Sequence, residues 1–118
     1  MSGLLWVGVG GALGAMARYS LGLLFAAQSF PWATLTINVV GSFIIGAVWS
    51  LCGEQNWFLQ WGKSFLIVGL LGGFTTFSAF SLETLQLLNS GRLAAAVGYI
   101  MASVGLCLMG VWLGSRAI

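Results

Sequence analysis

The sequence predicts an all-α integral membrane protein, with four transmembrane helices, the third of them broken, filling residues 1–118 as one domain. Three observations predict it. Residues 19–53 and 93–115 carry no charged side chain, and a helix crosses the hydrocarbon core with about 20 mostly apolar residues. A composition of 59% hydrophobic and 5% charged residues, with mean hydropathy +1.03, leaves too little polarity to coat a water-facing surface. The polar and glycine-rich residues then crowd into one apolar segment, 69–81, where a polar group is costly and therefore informative.

In chain order, the first span runs from about Leu4 to Ala26 and ends at the turn Gln28-Ser29-Phe30-Pro31. An export signal would have a basic leading region and an unbroken apolar stretch, whereas Arg18 interrupts this one. Its small residues fall as Gly8-x-x-x-Ala12 and Gly11-x-x-x-Ala15, spacing that lets helix backbones approach closely. Without a preceding strand they are not a nucleotide-binding loop. The second span covers about Ala33 to Leu51, closes at Cys52-Gly53-Glu54-Gln55-Asn56, and is trailed by Trp57 and Trp61, which suit a membrane interface. The third is placed at about Lys63 to Leu88 with Asn89-Ser90-Gly91-Arg92 as its exit turn, and the fourth at Leu93 to Ser115.

The third span is where a helix would break. Gly69 to Ser81 holds paired glycines and four hydroxyl residues; glycine has poor helix propensity and threonine is stiff at its first torsion. A break frees backbone groups that lipid cannot satisfy, so interrupted helices lie inside protein and often line an ion path. The competing reading is an intact helix whose hydroxyls bond to the preceding turn.

With six charges in all and a net charge of +2, no basic patch points to nucleic acid. There is no histidine, and Cys52 and Cys107 lack metal-ligand spacing, so zinc or redox chemistry is not expected. No nucleophile–base pair argues for an enzyme. Lys63 and Arg116 fall on one side of the membrane, offset by Glu54, and Arg92 on the other, joined by Arg18 if it snorkels. Basic residues orient membrane proteins by their imbalance, and here a count of two against one or two gives no decisive bias. The expectation is dual topology and an antiparallel homodimer, because helices this short pack too tightly to enclose a path within one copy.

Several polar residues sit inside spans. Asn38, one turn before Ser42, reads either as interhelical glue or as an ion contact. Tyr99, Ser103 and Cys107 fall at four-residue steps on one face of the last helix, packing against a neighbour or lining a hydrated track. Phe77 and Phe80 follow the break, and aromatic edges carry partial positive charge. Glu83 faces either polar partners or a vestibule; Arg18 either attracts anions or pairs with Glu83 or helix-end carbonyls.

Three stretches together resemble the Fluc (CrcB) family of small fluoride channels: Gly10-Gly11-Ala12-Leu13-Gly14-Ala15-Met16-Ala17-Arg18-Tyr19, Thr34-Leu35-Thr36-Ile37-Asn38-Val39-Val40-Gly41-Ser42-Phe43, and Gly72-Gly73-Phe74-Thr75-Thr76-Phe77-Ser78-Ala79-Phe80-Ser81. The resemblance covers nearly the whole chain. It implies a dual-topology dimer in the cell membrane that passes fluoride outward through two pores, with a structural sodium ion at its centre. Carried over by position, Phe77 and Phe80 touch fluoride with their ring edges. Asn38 donates to it, Tyr99 and Ser103 continue a polar track, and Arg18 lies toward a vestibule. The backbone carbonyls of Gly72 and Thr75 hold the sodium. Two positions depart from the family's pattern: Ala79 stands where Thr is common, and Cys107 where Ser or Thr is usual.

Two other functions share parts of this pattern. A dual-topology small multidrug transporter is also tiny and four-spanning but needs a carboxylate in its first span, where this chain has only Arg18. A noncatalytic subunit of a larger membrane complex would have no use for polar groups gathered at a broken helix.

Overall fold

The computed structural model describes residues 2–25 and 29–117, and among them the chain is helical without strands. Helix α1 spans Ser2–Leu24 and α2 spans Trp32–Cys52. Helix α3, Phe58–Leu71, is wound with the wide i→i+5 turn and runs on through Gly72–Phe74. After a two-residue interruption come α4, Phe77–Asn89, and α5, Leu93–Arg116. Four segments are long and apolar enough to cross a membrane, the third being Phe58–Asn89 taken as a whole. At about 1.5 Å rise per residue, each exceeds the roughly 30 Å hydrocarbon thickness. The chain is a multi-pass membrane protein.

Local chemistry sets the ends. Pro31 precedes α2 with φ −77°, where its missing N–H costs nothing. The α4 exit is a Schellman turn: Gly91 takes φ +78°, its N–H donates to Leu88 O at 3.1 Å, and the Arg92 N–H donates to Leu87 O at 2.9 Å. That turn matches the one predicted from Asn89-Ser90-Gly91-Arg92. The predicted end of the first span at Ala26 and the turn residue Gln28 lie outside the described residues.

The start of the third span differs from expectation, at Phe58 rather than Lys63. The stretch Leu59-Gln60-Trp61-Gly62-Lys63 is too polar for a hydropathy window yet is fully helical, because Phe58 is completely buried between Trp49 and Trp57 and anchors the turn. Trp57 and Trp61 therefore open the third segment rather than trail the second. Trp61 stacks on Trp6 at 4.7 Å and Lys63 Nζ stands 6.0 Å from the Trp49 ring, an aromatic and cationic fringe suited to an interface.

Two seams hold the helices together, α1 against α3 and α2 against α5, and both rest on glycine. Gly14 of α1 lies so close to Leu70 O that any β-carbon would overlap it, and Gly114 of α5 stands in the same relation to Phe43 O of α2. Such approach maximises dispersion contact where lipid offers no hydrophobic drive. The pair facing α3 is Gly10-x-x-x-Gly14, not Gly8-x-x-x-Ala12: Gly8 has open space around it and Ala12 is exposed. Gly11 and Ala15 do make a close approach, to Gly73. Where α4 packs against α2 and α5, Leu35, Phe80, Leu87, Ala96 and Tyr99 form a small apolar core.

Candidate functional site

The break falls inside the glycine and hydroxyl stretch, at Thr75 and Thr76. Both have extended backbones, with φ −90° and ψ 157° at Thr75 and φ −153° and ψ 122° at Thr76. The chain itself satisfies most of what this frees. Asn38, on α2, donates from Nδ2 to Thr76 O at 3.0 Å and accepts from the Thr76 N–H through Oδ1 at 2.9 Å. One side-chain amide thus meets both backbone polar groups of Thr76, replacing the helical acceptor its N–H has lost, and among the described residues the second Nδ2 hydrogen has no partner. The Thr76 hydroxyl then accepts from the Ala79 N–H at 3.1 Å and so caps α4. Thr75 Oγ1 donates back to Leu71 O at 2.8 Å, so the back-bonding of the competing reading occurs as well, at the end of α3 and beside a real break.

Arg18 settles on a helix-end carbonyl: its Nε donates to Gly73 O at 3.1 Å. It makes no ion pair with Glu83 among the described residues, although both line one cavity of about 450 Å³ with Thr34 and Thr76. Glu83 has hydroxyl partners instead. Thr34 Oγ1 donates to its Oε2 at 3.0 Å and the Tyr99 hydroxyl to its Oε1 at 3.1 Å. The carboxyl is thereby tied between α2 and α5, and Tyr99, with no exposed surface, is committed to it.

On the far side of Phe80 lies a groove of about 350 Å³, walled by Asn38, Thr75, Thr76, Phe77, Phe80, Ser103 and Cys107 among others. No charged side chain among the described residues lines it. The Phe77 and Phe80 rings stand 5.3 Å apart at 49°, Phe77 being 76% exposed and Phe80 9%. Ser103 is 7% exposed, and its Oγ has no hydrogen-bond partner among the described residues. A buried hydroxyl left unpaired costs on the order of 1–3 kcal/mol, and this one borders a cavity that can supply a guest. Asn38, Phe77, Phe80 and Ser103 are therefore gathered on one groove, while Tyr99 stands behind Phe80 at 5.1 Å and does not line it. Gly72 and Thr75 sit at the break, within one turn of each other.

A family model described as CrcB-like protein, Camphor Resistance (CrcB), matches residues 5–115. The chain belongs to the CrcB family. A CrcB relative from Opitutus terrae, named fluoride-specific ion channel FluC, is 48% identical and aligns over 99% of this chain and 92% of its own length. Relatives of the same name from Methylocella silvestris and Geobacter sulfurreducens are 47% and 42% identical, covering 93% and 99% of this chain and 88% and 97% of their own lengths.

Two residues escaped the sequence reading of this CrcB chain. Thr34 bonds Glu83, and its signal was available: Thr34, Asn38 and Ser42 repeat every four residues and share one face of α2. Thr76 as a helix cap was marked only by its place just before Phe77, at the end of the expected break.

Proposed function

We propose that this chain is a fluoride-selective channel, working as an antiparallel dual-topology dimer that lets fluoride leave down its electrochemical gradient. The observation that carries the reading is the groove itself: an unpaired Ser103 hydroxyl, a spare Asn38 N–H and two aromatic rims, with no charged wall. Fluoride is small and strongly hydrated, so a conducting path must replace its water with several partial positive charges and still release it. A full cation at the contact would hold the ion. Arg18 is kept off the groove by Gly73 O, and its charge instead attracts anions toward the neighbouring cavity.

Asn38 acts twice in this scheme. It fixes the broken backbone that aims Phe77 and Phe80, and it offers its remaining hydrogen to the passing anion. Tyr99 contributes through Glu83, holding the carboxyl away from the path, while Ser103 continues the donors along α5. With a negative interior, a membrane potential supplies about 2.3 kcal/mol per charge per 100 mV for outward movement. Passive export needs no reaction.

The sodium expectation fits the donors at the break. The hydrogen bonds that close it end on Leu71, Gly73 and Thr76 carbonyls, leaving those of Gly72 and Thr75 for a hard cation, which favours neutral or anionic oxygen. Two carbonyls do not complete a coordination shell, and a second copy across a twofold axis would supply the matching pair. Bound there, sodium supplies a fixed positive field.

Purified protein in liposomes, assayed with a fluoride electrode, should release fluoride and very little chloride; comparable fluxes of the two would refute selectivity. Phe80→Ile should reduce fluoride release at least tenfold while the dimer persists on size exclusion. The multidrug reading is not retained, because Glu83 lies in α4 and is engaged by two hydroxyls.

A further inference from the structure

Cys107 and Ser103 lie one helical turn apart on α5 and border the same uncharged groove. Ser103 Oγ is buried there and without a partner among the described residues, so that part of the groove has room for a guest and a group ready to meet one. Cys107 is a free, half-buried thiol, and Cys52 is a second one at the end of α2, absent from the groove wall. We infer that Cys107 is a covalent modification site for small thiol-directed electrophiles, and that an adduct on its sulfur plugs the anion path.

The inference rests on the channel reading for the consequence, and on the groove alone for the reaction. The step is a thiol–disulfide-type exchange. The Cys107 sulfur, having given its proton to solvent, attacks the sulfenyl sulfur of methyl methanethiosulfonate. The reagent's S–S bond breaks, methanesulfinate leaves with the electron pair, and Cys107 carries a thiomethyl mixed disulfide. A groove of about 350 Å³ admits that group. Once there it is apolar and donates nothing, in the stretch where the anion depends on donors. Dithiothreitol reverses the step by a second exchange. Hydroxyl side chains at this position would not take part, so the sensitivity belongs to this cysteine.

The full-length protein in liposomes is treated with methyl methanethiosulfonate, and the modified residue is mapped by mass spectrometry of digests, beside fluoride efflux. The expected result is a thiomethyl group on Cys107, a fall in efflux of at least tenfold, and recovery with dithiothreitol. Cys52→Ser should respond as the unsubstituted chain does; Cys107→Ser, compared with its own untreated rate, should lose the response. Labelling of Cys107 with unchanged efflux would overturn the plug, and so would a response that survives in Cys107→Ser. A Cys107 that labels only after denaturation would overturn the site. Untreated protein that passes no fluoride would instead overturn the channel reading and the plug with it, while the mass map would still decide whether the thiol meets the reagent.

Discussion

The two glycine seams and the broken helix solve opposite problems with much the same residue types. At the α1–α3 and α2–α5 crossings, glycine removes a side chain so that two intact backbones touch, as at Gly14 on Leu70 O and Gly114 on Phe43 O. At Thr75 and Thr76 the backbone itself is opened, and side chains from elsewhere return the lost hydrogen bonds: Asn38 from α2 and Arg18 from α1. The comparison teaches that glycine density alone does not mark a break. Gly72 and Gly73 remain helical, and Gly73 serves the seam by approaching Gly11 O at what would be 2.6 Å from a β-carbon. The discontinuity comes one residue after Phe74, where a polar partner waits across the helix gap.

That contrast can be broken at its strongest point first. Gly114→Leu places four carbons where Phe43 O already stands, and overpacking costs about 1–3 kcal/mol or more where, as here, the obstacle is backbone that cannot rotate away. The expected outcome is loss of a monodisperse detergent-solubilised species on size exclusion; a normal elution profile would mean the seam is not built as described. Asn38→Ala comes next. It removes the Asn38 amide from both the N–H and the C=O of Thr76, and the N–H left without an acceptor costs about 1–3 kcal/mol. Fluoride efflux should fall at least tenfold and the thermal midpoint in detergent should drop, whereas Asn38→Asp, which keeps the acceptor for Thr76 N–H, should recover part of the stability without the efflux. Equal stability for the two would separate Asn38 from the break. The smallest effect belongs to Gly8→Ala. Nothing lies within 4 Å of a β-carbon there, and alanine favours helix over glycine by about 0.8–1.0 kcal/mol, so the melting temperature should hold or rise slightly; a large loss would restore Gly8-x-x-x-Ala12 as a packing pair.

Much of the site was legible, though in pieces. The break was expected between Gly69 and Ser81 because propensity and hydroxyl density are local properties. Arg18 and Glu83 were each left with alternatives, because their partners, Gly73 O and the Thr34 and Tyr99 hydroxyls, come from other helices. Tyr99, Ser103 and Cys107 share a face by helical spacing alone, yet only the packing of Phe80 against Tyr99 divides them, putting Tyr99 with Glu83 and the other two on the groove.

The sequence by itself determined the membrane class, the four crossings, the family resemblance and the segment in which the third crossing fails, since hydrophobicity, helix propensity and motif order are written residue by residue. Only the tertiary structure decided which glycines carry the seams, that Asn38 meets the N–H and C=O of Thr76 at the break, and that Ser103 is left unpaired among the described residues beside two phenylalanines. Those outcomes depend on which faces meet across separate helices, and a contact between chain-distant groups leaves no periodicity in either segment to announce it.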